Sequence, residues 1–257
     1  VNTTKPIIGI NVCGPAFGVI PRKGSKFLSD LARFVLSDGF GTAVADLLYP
    51  PPTLSQKRNV LRPFVQLIDT LTERGSYVIL VPHTMIPRRR YPLYEDDRQV
   101  CQIVLSSVKN RTLVRALKGF YSCDEVKGVI GKCFIFIGMR MHSNIAALSQ
   151  IVPVIAVPYG HVGLRKRLAA VKFRRIMKMF DLGDYVWELN TTAPGGLLRK
   201  VEALLANRNT IAENLRSLVV GIRKKAALSA ELVADLLRIS NPNGVPQTIS
   251  NSHNTHA

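Results

Sequence analysis

Short, unbroken apolar runs constrain this chain more than any other feature. They fall at residues 7–13 (IIGINVC), 77–81 (YVILV), 134–139 (FIFIGM) and 152–157 (VPVIAV). A strand with one wet face alternates apolar and polar side chains, whereas a strand covered on both faces does not alternate. Each run is too short for a buried helix and is followed by turn or cap residues, so each predicts a buried strand.

Between the runs the period changes. Val60, Phe64, Leu67, Ile68 and Leu71 recur at helical spacing within residues 56–74, and Gly75 closes the segment. EDDRQVCQIVLSSV predicts a helix with Glu95, Asp96 and Asp97 in its first turn, where the helix dipole favours acids. Residues 113–117 form a weaker strand candidate. Ser122 and Glu125 stand at capping-box spacing before another helix. Residues 144–150 and 198–206 predict helices. A long one over 210–237 carries Ile211, Leu215, Leu218, Ile222, Ala226, Val233 and Leu236 along one face. Residues 21–52, with LYPPPT, are irregular. The expected fold is therefore α/β: a Rossmann-like parallel sheet with helices on both faces, over residues 1–239. The polar segment 240–257 is expected to be a disordered tail.

Composition narrows the function classes. Of the 257 residues 47% are hydrophobic, enough for a large core, yet no run reaches the ~18 apolar residues of a spanning helix. Residues 1–6 carry no secretory pattern, so the expected location is cytoplasmic, or the inner face of the membrane. Cys13, Cys101, Cys123 and Cys133 are widely spaced, with no CxxC pair and no companion histidines. They read as reduced thiols rather than metal ligands, and no metal or cofactor is expected. Net charge is +18. The basic clusters at 88–90, 165–167, 172–178 and 223–225 lie on separate segments without interleaved aromatics. That pattern suits a solvated surface, an anionic substrate or an anionic lipid surface, and argues against specific nucleic-acid binding.

In doubly wound sheets, ligands bind beyond the carboxyl ends of the strands. The strand exits here carry Asn11 and Gly14, then His83, then Arg140, His142 and Ser143, then Tyr159 and His161. Arg140 and His142 are two apart, so in an extended segment their side chains would share a side. An arginine, an imidazole and the start of the following helix, with Ser143 and Asn144, suit an oxyanion. Alternatively Arg140 pairs with an internal acid and His142 caps the helix. His83 could bind a ligand or simply be satisfied in a turn.

At these residues the chain resembles the polysaccharide pyruvyl transferase family. The resemblance is carried, in order, by IIGINVCG, VILVPHT, YEDDRQVC, CDEVKGVIGKC, IGMRMHSNIAALSQIVPVIAVPYG and FRRIMKMFDLGDYVWELN, over roughly residues 7–240. It implies transfer of a pyruvyl ketal group from phosphoenolpyruvate to a sugar hydroxyl of a polysaccharide or its lipid-linked precursor. The implied fold resembles the C-terminal domain of a GT-B transferase. Arg140 and His142 match the family's R-x-H motif, associated with phosphoenolpyruvate binding and proton transfer. Ser143, Asn144, His83, Gly14, Tyr159 and Lys172 are the expected substrate-binding residues. The chain departs from the pattern at Phe134, where the family has an acid, and in VGLRKRLAA before Lys172, which reads as an insertion. It also matches only the family's C-terminal half. Two alternatives stay open: a nucleotide-sugar glycosyltransferase of GT-B type, or an anion-binding domain without turnover.

Overall fold

The computed structural model describes residues 5–14, 16, 52–85, 96–159, 164–189 and 195–240, with the side chains of 164–169 and 238–240 excepted. Several expectations fall outside these residues: the irregular 21–52 segment apart from its last residue, the 88–90 basic cluster, Glu95, His161, the 165–167 side chains and the 241–257 tail. The described residues divide into two compact units, one up to Arg216 and one from Ser217 onward.

The first unit is built on a five-stranded parallel sheet. Its strands are β1 (Ile7–Asn11), β2 (Tyr77–Leu80), β3 (Val114–Ala116), β4 (Ile135–Gly138) and β5 (Val154–Ala156), in the order β3-β2-β1-β4-β5. Its helices are α1 (Leu54–Glu73), α2 (Asp97–Ser107), α3 (Cys123–Ile130) and α4 (Met141–Ser149), which alternate with the strands, and α5 (Leu164–Met179) and α6 (Gly196–Ala206) after them; α7 (Arg208–Ser240) begins in this unit and makes up the described part of the second. This is the Rossmann-like α/β architecture that the apolar runs predict.

β4 is buried along its whole length, and β1 from Ile8 onward. Gly9 pairs with Phe136 in the β1–β4 register, and a Cβ on Gly9 would stand 2.6 Å from the Phe136 ring. The glycine is therefore the hole that lets a fully buried phenylalanine lie across the sheet. Val60, Phe64, Leu67, Ile68 and Leu71 place one face of α1 on this core, where Phe64 meets Trp187 edge to face at 6.4 Å. Such an aromatic pair contributes about 0.5–1.5 kcal/mol beyond its buried area.

The caps explain where the helices start. Thr53 and Ser122 each form a full capping box, with Gln56 and Glu125 respectively. Asp96 caps α2 by accepting from the Arg98 backbone N–H at 3.0 Å.

One local expectation needs correction. α4 starts at Met141 rather than at residue 144, so Arg140 is its last extended residue and His142 is already helical. Arg140 and His142 are therefore not neighbours on one side of an extended segment. The physical reason lies in Ser143: its hydroxyl donates to the Arg140 carbonyl at 2.8 Å, closing a turn that pattern reading alone treats as loop. Residues 164–170 of the segment read as an insertion before Lys172 belong to α5.

Candidate active site

The order of the strands fixes where a site can form. From β1 the chain moves outward to β2 and β3, then returns to the other side of β1 as β4. The carboxyl ends of β1 and β4 are thus adjacent at the switch point, where open α/β sheets bind ligands. Asn11 ends β1 and faces Gly138, which ends β4.

Asn11 is fully buried and ties three exits together. Its Nδ2 donates to the Val81 carbonyl at 3.0 Å and to Asp97 Oδ2 at 3.4 Å. Its Oδ1 accepts from the Arg140 backbone N–H at 3.0 Å and from the Ser143 hydroxyl at 3.3 Å. One amide therefore fixes the ends of β2 and β4 and the first turn of α4.

Asp97 completes the lattice from the first turn of α2. Its carboxylate is wholly buried, and it accepts from the backbone N–H groups of His83 and Thr84 at 3.1 and 3.0 Å. It also takes the Arg140 guanidinium bidentately, Nη2 on Oδ1 at 2.8 Å and Nε on Oδ2 at 2.9 Å. Burial alone would lower the Arg140 pKa, but the hydrogen bonds and charge of Asp97 outweigh it and raise the pKa. The guanidinium is thus held charged, within a pair of no net charge.

His142 occupies the open side. It is exposed on the first turn of α4, and its ring lies 6.3 Å from that of His83 with the planes 13° apart. His83 is half-buried, and its Nδ1 is buried without a hydrogen-bond partner among the described residues. Burial is the largest influence on His83 and lowers its pKa from the usual 6.5; Arg140 and His142 add to the lowering, and Asp97 opposes it. The crevice therefore pairs one imidazole held neutral with one open to solvent. Among the described residues no side chain caps α4, so its first-turn N–H groups receive no side-chain oxygen from them.

The remaining expected residues fall into two groups. Tyr159 and Gly14 lie near the crevice. The Tyr159 hydroxyl is hydrogen-bonded to the buried Cys13 thiol, and burial raises the pKa of both groups. Gly14 is buried just beyond β1. Ser143 and Asn144 are buried parts of the frame. Asn144 Nδ2 donates to the Gly138 carbonyl at 3.1 Å, and a Cβ on Gly138 would sit 1.8 Å from Asn144 Oδ1. Lys172 is exposed on α5 and makes no hydrogen bond or ion pair among the described residues. Asp97, the acid at the centre of the lattice, reads from sequence only as one of three first-turn acids. The available signal was its redundancy, since Asp96 suffices as the cap.

Among the described residues no three histidine, cysteine, aspartate or glutamate side chains come together as metal ligands, and no helix is long and apolar enough to cross a membrane. Cys13, Cys101 and Cys133 are buried free thiols, and Cys123 is exposed.

The chain is 23% identical over 175 residues to the amylovoran biosynthesis protein AmsJ of Erwinia amylovora; the match covers 68% of this chain and 38% of AmsJ. The family profile for polysaccharide pyruvyl transferase matches residues 18–161, more than half of the chain and a span that includes Asp97, Arg140 and His142. The chain belongs to the polysaccharide pyruvyl transferase family.

Proposed function

We propose that this crevice binds phosphoenolpyruvate and that the protein of which it forms the site transfers the pyruvyl group to a saccharide, a polysaccharide or its lipid-linked precursor, at the cytoplasmic face of the membrane. The observation that carries the reading is the position of His142. It stands exposed on an uncapped helix start at the sheet's switch point, on a backbone fixed by Asn11, Asp97 and Arg140.

The chemistry assigns the groups. A first sugar hydroxyl adds through its oxygen to C2 of phosphoenolpyruvate while C3 gains a proton, turning methylene into methyl, and the proton lost by that hydroxyl replaces the one delivered to C3. The oxygen of a second hydroxyl then displaces phosphate, which leaves with its bridging oxygen and takes up the second hydroxyl's proton, and the ketal closes. His142 supplies the proton to C3, the general-acid role that an exposed imidazole at this end of the sheet can fill. The first-turn N–H groups of α4 and the positive end of its dipole receive the donor's anionic oxygens. Arg140 acts mainly as a positioning residue. Asp97 already engages its Nε and Nη2, so its contribution is to hold the α4 start rather than to supply a net charge.

Calorimetry of the chain with phosphoenolpyruvate tests the donor assignment. Binding is expected, with no competition from a nucleotide sugar such as UDP-glucose; absence of binding overturns the assignment. In the longer protein, His142→Ala should cut phosphate release by about 10²–10⁴-fold, the usual range for a lost general acid, with binding partly retained. Near-normal turnover would refute the acid role.

A further inference from the structure

Two aromatic rings stand in water on the same edge of the sheet as the crevice and take no part in its frame. Phe120 is 56% exposed and Tyr121 38%, in the loop between β3 and α3. That loop is tied at both ends. The Leu117 backbone N–H donates to the Leu80 carbonyl at 3.1 Å, at the end of β2, and Ser122 and Glu125 form the capping box of α3. Between these ties the Arg98 guanidinium stacks on Phe120, its carbon 3.9 Å from the ring centre. Arg98 is gripped in turn by Asp96, Nε on Oδ1 at 3.0 Å and Nη2 on Oδ2 at 2.5 Å. Tyr121 folds back over Gly119, where a Cβ would stand 3.3 Å from the Tyr121 Cζ and 3.4 Å from its hydroxyl oxygen. An apolar ring gains from leaving water, so rings that the fold holds out in it are open to a partner.

We infer that Phe120 and Tyr121 bind the saccharide acceptor, stacking on the C–H face of a pyranose that neighbours the reacting sugar in the same glycan. The inference rests on the saccharide acceptor of the reading above. A pyranose presents a flat face of C–H groups and carries its hydroxyls around the edge. The negative face of an aromatic ring matches the first. Lys118 and Asp124, both exposed and without a hydrogen bond or ion pair among the described residues, leave a donor and an acceptor close along the chain for the second. The position fits as well. Arg98 follows Asp97, so one turn of α2 holds both the carboxylate that frames the crevice and the guanidinium that backs Phe120. β2 and β1 lie between β3 and β4, so the exits of β3 and β4 are about 14 Å apart at the usual strand spacing. That separation suits a neighbouring residue of the glycan rather than the sugar at His142.

Proton NMR of the chain with the methyl β-pyranosides of glucose, galactose and mannose tests this. At least one sugar is expected to bind with its ring C–H signals moved upfield by the aromatic ring beneath them. Phe120→Ala should weaken that binding about 3- to 10-fold, the worth of one aromatic contact, and Phe120→Tyr should retain it. Because Phe120 is exposed, Phe120→Ala should leave the circular dichroism spectrum unchanged, and phosphoenolpyruvate binding with it. Absence of pyranoside binding overturns the inference, and so does binding indifferent to Phe120→Ala. Uridine stacking on these rings while the sugars stay silent overturns it too, since that marks a nucleobase site. The donor assignment fails separately: a chain that binds a pyranoside at Phe120 and does not bind phosphoenolpyruvate keeps this site and loses that assignment.

Discussion

Asp97 and Arg140 meet as a two-pronged pair, Oδ1 with Nη2 at 2.8 Å and Oδ2 with Nε at 2.9 Å, 43 residues apart in sequence. Planar guanidinium and carboxylate match in this geometry, which fixes orientation as well as distance. The pair joins the start of α2 to the start of α4 across the end of β1. Through the same carboxylate it also holds the His83–Thr84 turn. Arg140 is therefore part of the frame that carries His142.

Removing Asp97 should be costly. Asp97→Ala would leave Arg140 as a buried charge without its carboxylate and would strip an acceptor from the N–H groups of His83 and Thr84. Breaking a buried ion pair from one side costs about 3–5 kcal/mol. Urea unfolding should show a loss of that order, whereas a loss under about 1 kcal/mol would mean that the pair does not hold the crevice.

This network shows what can be read from the chain and what cannot. The sheet is legible because Ile8, Ile10, Ile135, Phe136 and Ile137 form runs without polar interruption, and only a layer covered on both faces accepts that. The capping box at Ser122 is legible because its partners are three residues apart. The Asp97–Arg140 pair is not, because the topology that brings them together depends on strand order, and no local spacing encodes it. The α4 start misleads for a related reason. A residue set between a strand and a helix reads as extended, while a Ser143 hydroxyl that closes the turn leaves no periodic signature. Arg140 was legible as a residue at a strand exit. Its buried partner was one of two outcomes the sequence left open.

Gly138 should tolerate no side chain while Asn144 is present. A Cβ there would lie 1.8 Å from Asn144 Oδ1 and 2.8 Å from its Cγ, and Asn144 is itself pinned by its bond to the Gly138 carbonyl. Overpacking a filled core typically costs about 1–3 kcal/mol, and Gly138→Ala should cost at least that. Adding Asn144→Ala removes the two closest atoms, leaving the Phe136 ring at 3.0 Å, at the expense of one hydrogen bond, about 1 kcal/mol. The double variant should therefore unfold at higher denaturant concentration than Gly138→Ala alone. A double variant less stable than the single one would show that the glycine is needed for another reason.

His83 should make the fold sensitive to mild acid. Its folded pKa lies below the free value of 6.5, with burial the main cause, so the folded state resists protonation where the unfolded chain accepts it. When the unfolded chain binds more protons, stability rises with pH. The contribution of His83 is accordingly complete above pH 6.5 and diminishes as pH falls from there towards the folded pKa. Asp97 opposes the shift and Arg140 and His142 reinforce it, so the variant must leave all three in place. His83→Gln does so, and its stability should fall less steeply than that of the parent between pH 6.5 and the folded pKa. A proton NMR titration of the ring provides the direct measurement. A His83 midpoint at or above 6.5 would show that the ring is not held neutral, and with it the contrast between the two crevice imidazoles would disappear.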